Sequence, residues 1–168
     1  FYYMDYDNQL VQTGQQSDIG EALTTNVKKS YRMGVEITAG WAPFSWMRLE
    51  GNAALSENKI KDFDEYVEDW DNGVKVIHYD NSTLAFSPSA LVNGFIDFHY
   101  AGFAATWHTG FVSKMYLDNT ECDQRSLPKY TRTDIALSYD WKLRQKHHLI
   151  FGVQLDNIFN AHYAAGGW

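Results

Sequence analysis

The chain has 168 residues, 45% of them apolar, with a mean hydropathy of −0.43 and a formal net charge of −7. The acidic balance argues against a nucleic-acid partner and against attraction to an anionic membrane surface. No run approaches the ~18 apolar residues of a transmembrane helix, and a lone cysteine, Cys122, leaves no internal disulfide and no thiolate metal site.

Seven stretches alternate apolar and polar side chains with the strand period of two. The first covers Phe1 to Val11, with Tyr2, Met4 and Tyr6 on one face and a possible turn at Asp7-Asn8. The second covers Lys29 to Ala42, where Tyr31, Met33, Val35, Ile37, Ala39 and Trp41 oppose Arg32, Gly34, Glu36 and Thr38. The third covers Ser45 to Asn58, with Met47, Leu49 and Leu55 opposite Arg48, Glu50 and Asn52. The fourth covers Ser89 to Tyr100, with Val92, Ile96 and Phe98 opposite Asn93, Asp97 and His99. The fifth covers Ala101 to Leu117 and places Phe103, Trp107 and Phe111 opposite His108 and Lys114. The sixth covers Lys129 to Leu143, with Ile135, Leu137, Tyr139 and Trp141 opposite Arg132, Asp134, Ser138 and Asp140. The seventh covers Leu149 to Asn160, with Phe151, Val153, Leu155 and Phe159 opposite Gln154 and Asp156.

Strands of this length suit a tilted membrane crossing, which takes about 9–11 residues. The connections alternate. Short ones fall at Trp41–Trp46, Tyr100–Gly102 and Leu143–His148, and long ones at Val11–Lys28, Asn58–Pro88 and Asp118–Pro128. An antiparallel meander gathers the short turns at one rim, as outer-membrane barrels do. Trp41, Trp46, Phe98, Tyr100, Phe103, Tyr139 and Trp141 then share that rim as an interfacial band, and Tyr116, Phe159 and Tyr163 form a sparser one opposite. A soluble sandwich has shorter strands and no such alternation of connections.

The apolar face, with Phe103, Trp107, Phe111, Ile135, Leu137, Phe151 and Val153, is expected toward lipid. The other face carries charges of both signs, which a packed core would not hold and a wet or plugged lumen would. The lumen-facing candidates are Arg48, Glu50, His108, Lys114, Arg132, Asp134 and Gln154.

Near the end, Val153-Gln-Leu-Asp-Asn157-Ile-Phe-Asn160-Ala-His-Tyr163 resembles the late-strand signature of TonB-dependent outer-membrane receptors. Ser30-Tyr-Arg-Met-Gly34-Val-Glu36, Phe86-Ser-Pro88-Ser and Tyr116-Leu-Asp-Asn119-Thr support the resemblance, which covers essentially the whole chain. The resemblance implies an all-β antiparallel meander of about seven strands within a barrel of about 22 strands that a plug domain closes. These would be roughly the fifteenth to the twenty-first strands, so residues 1–168 are read as a partial C-terminal barrel segment without plug or final strand. The start at Phe1, with no basic and apolar leader, fits a fragment or processed product. As given, it is expected to form an open sheet with no closing pair between its first and seventh strands.

The resemblance also implies function: TonB-dependent uptake of a scarce bulky ligand across the outer membrane of a Gram-negative bacterium. The ligand is a siderophore, haem or cobalamin, or a glycan. The partners are outer-membrane lipid, the TonB complex through the plug, and that ligand. A passive porin or structural barrel is the alternative. No nucleophile–base arrangement marks an enzyme. In the longest loop Trp70, His78 and Tyr79 are candidate ligand contacts. The acidic run Asp62, Asp64, Glu65, Glu68, Asp69, Asp71 lacks the spaced final Glu of a calcium loop and is read as a solvated face. No metal or cofactor is assigned.

Overall fold

The structure is a computed structural model that describes residues 1–16, 19–69, 73–144 and 147–167; within these, the side chains of 13–16, 22, 66–69, 73, 74 and 144 are left aside. The elements in chain order are β1 (Tyr2–Gln16), β2 (Ala22–Phe44), β3 (Met47–Ile60), β4 (Phe63–Asp69), β5 (Gly73–Tyr79), β6 (Ser82–Thr83), β7 (Ala90–Tyr100), β8 (Phe103–Val112), β9 (Met115–Tyr116), a single 3₁₀ turn (Asp123–Arg125), β10 (Ser126–Leu127), β11 (Tyr130–Arg144) and β12 (His147–Leu155). The described residues contain no α-helix.

The seven long strands pair antiparallel in chain order, β1-β2-β3-β7-β8-β11-β12, as the alternating pattern requires. Short turns join β2 to β3 and β7 to β8 at one rim. At the β7–β8 turn Ala101 and Gly102 take φ of 50° and 86°, the pair of positive values of a tight hairpin turn. Among the described residues β1 and β12 do not pair with each other, so each leaves one edge open.

Four sequence readings need correction. The connection expected over Val11–Lys28 is mostly ladder: Val11 pairs with Thr25, Gln12 with Thr24 and Gln16 with Ala22. Gln12, Thr24, Thr25 and Asn26 looked like loop because both faces are polar there. Polar side chains there hide the period of two, and the backbone ladder survives them. Asp7-Asn8 is a phase shift and not a turn. Asn8 has φ 54°, Asp7 and Asn8 are both exposed, and burial resumes at Gln9 and Val11, matched on β2 by exposed Lys28 and Lys29 between buried Val27 and Ser30. Finally, the fifth strand stops at Val112 and the seventh at Leu155, short of Leu117 and Asn160.

Asn157 and Asn160, with φ 52° and 50°, end the seventh strand. Asparagine tolerates this left-handed backbone better than most residues. The Asn157 side chain accepts from the Ala161 amide at 2.8 Å and donates to the Ala161 carbonyl at 3.1 Å, closing the turn as a backbone group would.

The long-loop rim holds the small core. Val11, Val27, Ile60, Phe63 and Leu84 pack together, with Tyr79 against them. Most other large apolar side chains stand exposed, among them Ile37, Trp41, Leu137, Phe151 and Val153.

Candidate functional site

Cross-strand partners in a sheet point to the same face, so the register sorts side chains without further assumption. One row runs Trp41, Leu49, Ile96, Trp107, Ile135, Leu155 across six strands. The row nearer the short turns runs Met47, Phe98, Ala105, Leu137, Val153. Phe103, Tyr139 and Phe151 continue it toward the rim. Both rows are apolar, and in the next row Thr109 and Thr133 bond each other at 3.1 Å.

The opposite face carries the polar candidates. Gly40, Glu50, Phe95, His108 and Asp134 form one row, and Thr38, Asn52, Asn93, Gly110 and Arg132 the next. Arg48, Asp97, Thr106, Ala136 and Gln154 form a third. The rows are stitched laterally. Asn93 donates to Asn52 at 3.1 Å, and His108 Nε2 lies 3.2 Å from Asn93 Oδ1. His108 Nδ1 lies 3.4 Å from Asp134 Oδ2, while the Phe95 ring stacks on the imidazole at 4.5 Å. Arg132 Nε donates to Asp134 at 2.8 Å and its Nη2 reaches Asp156 at 3.3 Å. The Asn157 amide donates to Asp134 at 2.8 Å, and Gln154 donates to Asp156 at 3.0 Å. Arg48 pairs with Glu50 on the same strand. Six of the seven lumen candidates therefore share one sheet face. Lys114 lies past the end of β8, bonded to Asp123 and 4.5 Å above the Tyr116 ring.

At the long-loop rim this polar face has a roof. Asn119 Nδ2 donates to the Gln12 carbonyl at 2.7 Å, joining residues 107 apart in sequence. Its Oδ1 accepts from the Ala85 amide at 2.8 Å, and the Phe86 amide donates to the Tyr116 carbonyl at 2.8 Å. Glu121 takes the Lys59 ammonium at 2.7 Å and the Thr83 amide at 2.7 Å. Burial pushes the Glu121 carboxyl up, but Lys59 and Thr83 outweigh it, so it titrates below the ordinary value. Asp118 is buried and pairs with Arg125 at 2.7 Å, which also reaches Glu65 at 3.3 Å. The amide of Gln124, then the Arg125 side chain and amide, lower the Cys122 thiol.

Under this roof lies a cavity of about 510 Å³ lined by Gln9, Gln12, Arg32, Leu84, Phe86 and Asn119. The Arg32 guanidinium sits 5.9 Å above the Tyr6 ring, and its buried Nε has no hydrogen-bond partner among the described residues. The alternation had put Arg32 on the polar face. The cavity beside it comes from contacts between distant loops, for which a local pattern carries no signal.

Of the loop candidates, Trp70 lies outside the described residues. His78 is exposed between Asp64 and Asp80, whose carboxylates raise its pKa. Tyr79 turns to the core: its ring lies 6.1 Å from Phe63 and its hydroxyl donates to Glu65 at 2.9 Å. Burial first, then Glu65, raises that phenol.

No curated protein matches the chain. Among solved structures, the ferric-catecholate import receptor Fiu from K12 E. coli, closed form, aligns with TM-score 0.65 at 17% identity, over 98% of this chain and 21% of that one. That likeness is one of fold, and the chain spans about a fifth of that receptor's length. The family model for the TonB dependent receptor-like β-barrel matches residues 1–160. Paired antiparallel in chain order, apolar on one face and polar on the other, the chain belongs to the β-barrel part of the TonB-dependent receptor family.

Proposed function

We propose that the chain forms part of the wall of an outer-membrane importer that takes up a scarce bulky ligand at the expense of TonB-transmitted energy. The carrying observation is the register. It places Ile96, Trp107, Ile135 and Leu155 in one row and Glu50, His108 and Asp134 in the adjoining row on the other face. Lipid suits the first face and a wet or plugged lumen the second. The open edges of β1 and β12 support membership of a larger closed barrel, because each unpaired backbone group costs several kcal/mol in hydrocarbon.

The loop roof supports the same orientation. Asn119 reaches Gln12 across the face that bears Arg32 and Ile60, so the roof closes over the polar side. In this reading Arg48, Glu50, His108, Arg132, Asp134 and Gln154 line the lumen. The long loops face outward, and His78 lies where an incoming ligand passes. The ligand is a siderophore, haem or cobalamin, or a glycan. In such an importer a plug domain makes the contact with TonB.

Uptake assays test the reading. Cells bearing the full-length receptor should accumulate one of these labelled ligands saturably, and the accumulation should vanish in a host lacking TonB. Linear uptake that persists without TonB would instead assign a passive porin.

A further inference from the structure

The connection between β3 and β7 carries a hairpin, β4–β5, whose base alternates acid and aromatic residues. Asp62-Phe63-Asp64 on one arm faces His78-Tyr79-Asp80 on the other. Phe63 pairs with Tyr79 and Asp64 with His78. The strand period sends Phe63 and Tyr79 to the core side and the other four side chains to water.

Those four converge. His78 Nδ1 lies 2.7 Å from Asp64 Oδ1. His78 Nε2 lies 3.1 Å from Asp80 Oδ1 and 3.7 Å from Asp62 Oδ1. One donor atom from each of Asp62, His78 and Asp80 lies within 4.8 Å of the others. Among the described residues no Lys or Arg pairs with these three aspartates, so a single imidazole faces three carboxylates.

We propose that Asp62, His78 and Asp80 bind one zinc ion at the base of this hairpin, with Asp64 holding the imidazole in orientation. One imidazole nitrogen with two carboxylate oxygens is a borderline donor set that suits zinc. Calcium takes six to eight oxygens and magnesium an octahedron of them. Asp64 bonds Nδ1 and leaves Nε2 aimed at the two other carboxylates, the arrangement that fixes a ligating histidine's tautomer and direction. Tetrahedral bonds of about 2.0–2.1 Å place donors roughly 3.3 Å apart, so the side chains close in by about 1 Å. All three are exposed and have space to do so. Water takes the fourth position. The ion ties the two arms together where they leave the sheet. The site stands on the hairpin geometry and holds whether or not the barrel transports.

The test uses the full-length receptor, purified in detergent without a histidine tag, stripped with a chelator and titrated with zinc against a fluorescent zinc indicator. The wild type should bind one equivalent that His78→Ala abolishes. Asp64→Asn should keep the stoichiometry and weaken binding by about 10- to 100-fold. His78 and Asp64 are exposed, and unchanged tryptophan emission verifies that both variants keep their fold. No saturable zinc binding by the wild type, binding undiminished in His78→Ala, or an affinity untouched by Asp64→Asn would each overturn the proposal.

Discussion

Leu137 and Ser138 are neighbours in β11 with opposite surroundings. Leu137 stands in the row with Phe98, Ala105 and Val153, and Ser138 opposes Ala104 and Gly152 on the other face. If the first row meets lipid, Leu137→Arg in the full receptor costs about 2–4 kcal/mol near the bilayer midplane. Ser138→Arg should change stability by less than about 1 kcal/mol, since its face is wet. Denaturant titration of refolding into liposomes reads both values, and equal costs would contradict the assignment of faces. Gly34 packs tightly against both neighbouring strands. A Cβ there would meet the Leu55 carbonyl oxygen at 2.5 Å and the Tyr2 hydroxyl at 2.7 Å, on the strand directly opposite Tyr2. A backbone oxygen cannot yield as a side chain can, so Gly34→Ala should destabilise by about 1–3 kcal/mol in the same titration. A neutral result would mean that β3 does not hold the Leu55 carbonyl this close to Gly34.

At the scale of elements, the strands were legible wherever the period of two is sustained. From Tyr31 to Trp41 and from Ile135 to Trp141 every second residue is apolar, and both stretches lie within the observed strands. The pattern failed where polar residues outnumber the apolar ones that mark a face. The upper parts of β1 and β2 read as loop, and so did the whole β4–β5 hairpin, whose acidic residues masked its alternation. The period in Val74-Lys-Val76 and the turn dipeptide Asn72-Gly73 were the available signals for that hairpin. The polar band was legible for the same reason as the strands: His108, Arg132, Asp134 and Gln154 follow from phase alone. The roof was not, because Asn119 meets Gln12 across 107 residues. Cys122 caps the 3₁₀ turn of the roof and is partly exposed. In intact cells a membrane-impermeant maleimide should label it, and Cys122→Ser should lose that label. Labelling that appears only after the outer membrane is permeabilised would put the long loops on the wrong side.

For the whole molecule, one alternation is sustained across β2, β3, β7, β8, β11 and β12, apolar on one face and polar on the other, while β1 and β12 each leave an edge open. A soluble sheet would bury the apolar face, yet Ile37, Trp41, Leu137, Phe151 and Val153 are all exposed here. Lipid is the surrounding that makes such exposure favourable. A one-residue slip would exchange the two faces of a strand entirely, so phase is the sharpest quantity to measure. In the full receptor, with Cys122 replaced by Ser, single cysteines at positions 134–139 can carry a nitroxide spin label in turn. Collision with oxygen reports lipid and collision with a water-soluble nickel chelate reports water. The account predicts oxygen maxima at Ile135, Leu137 and Tyr139 and nickel maxima at Asp134, Ala136 and Ser138. The reverse phase, or equal nickel access at all six positions, would contradict it.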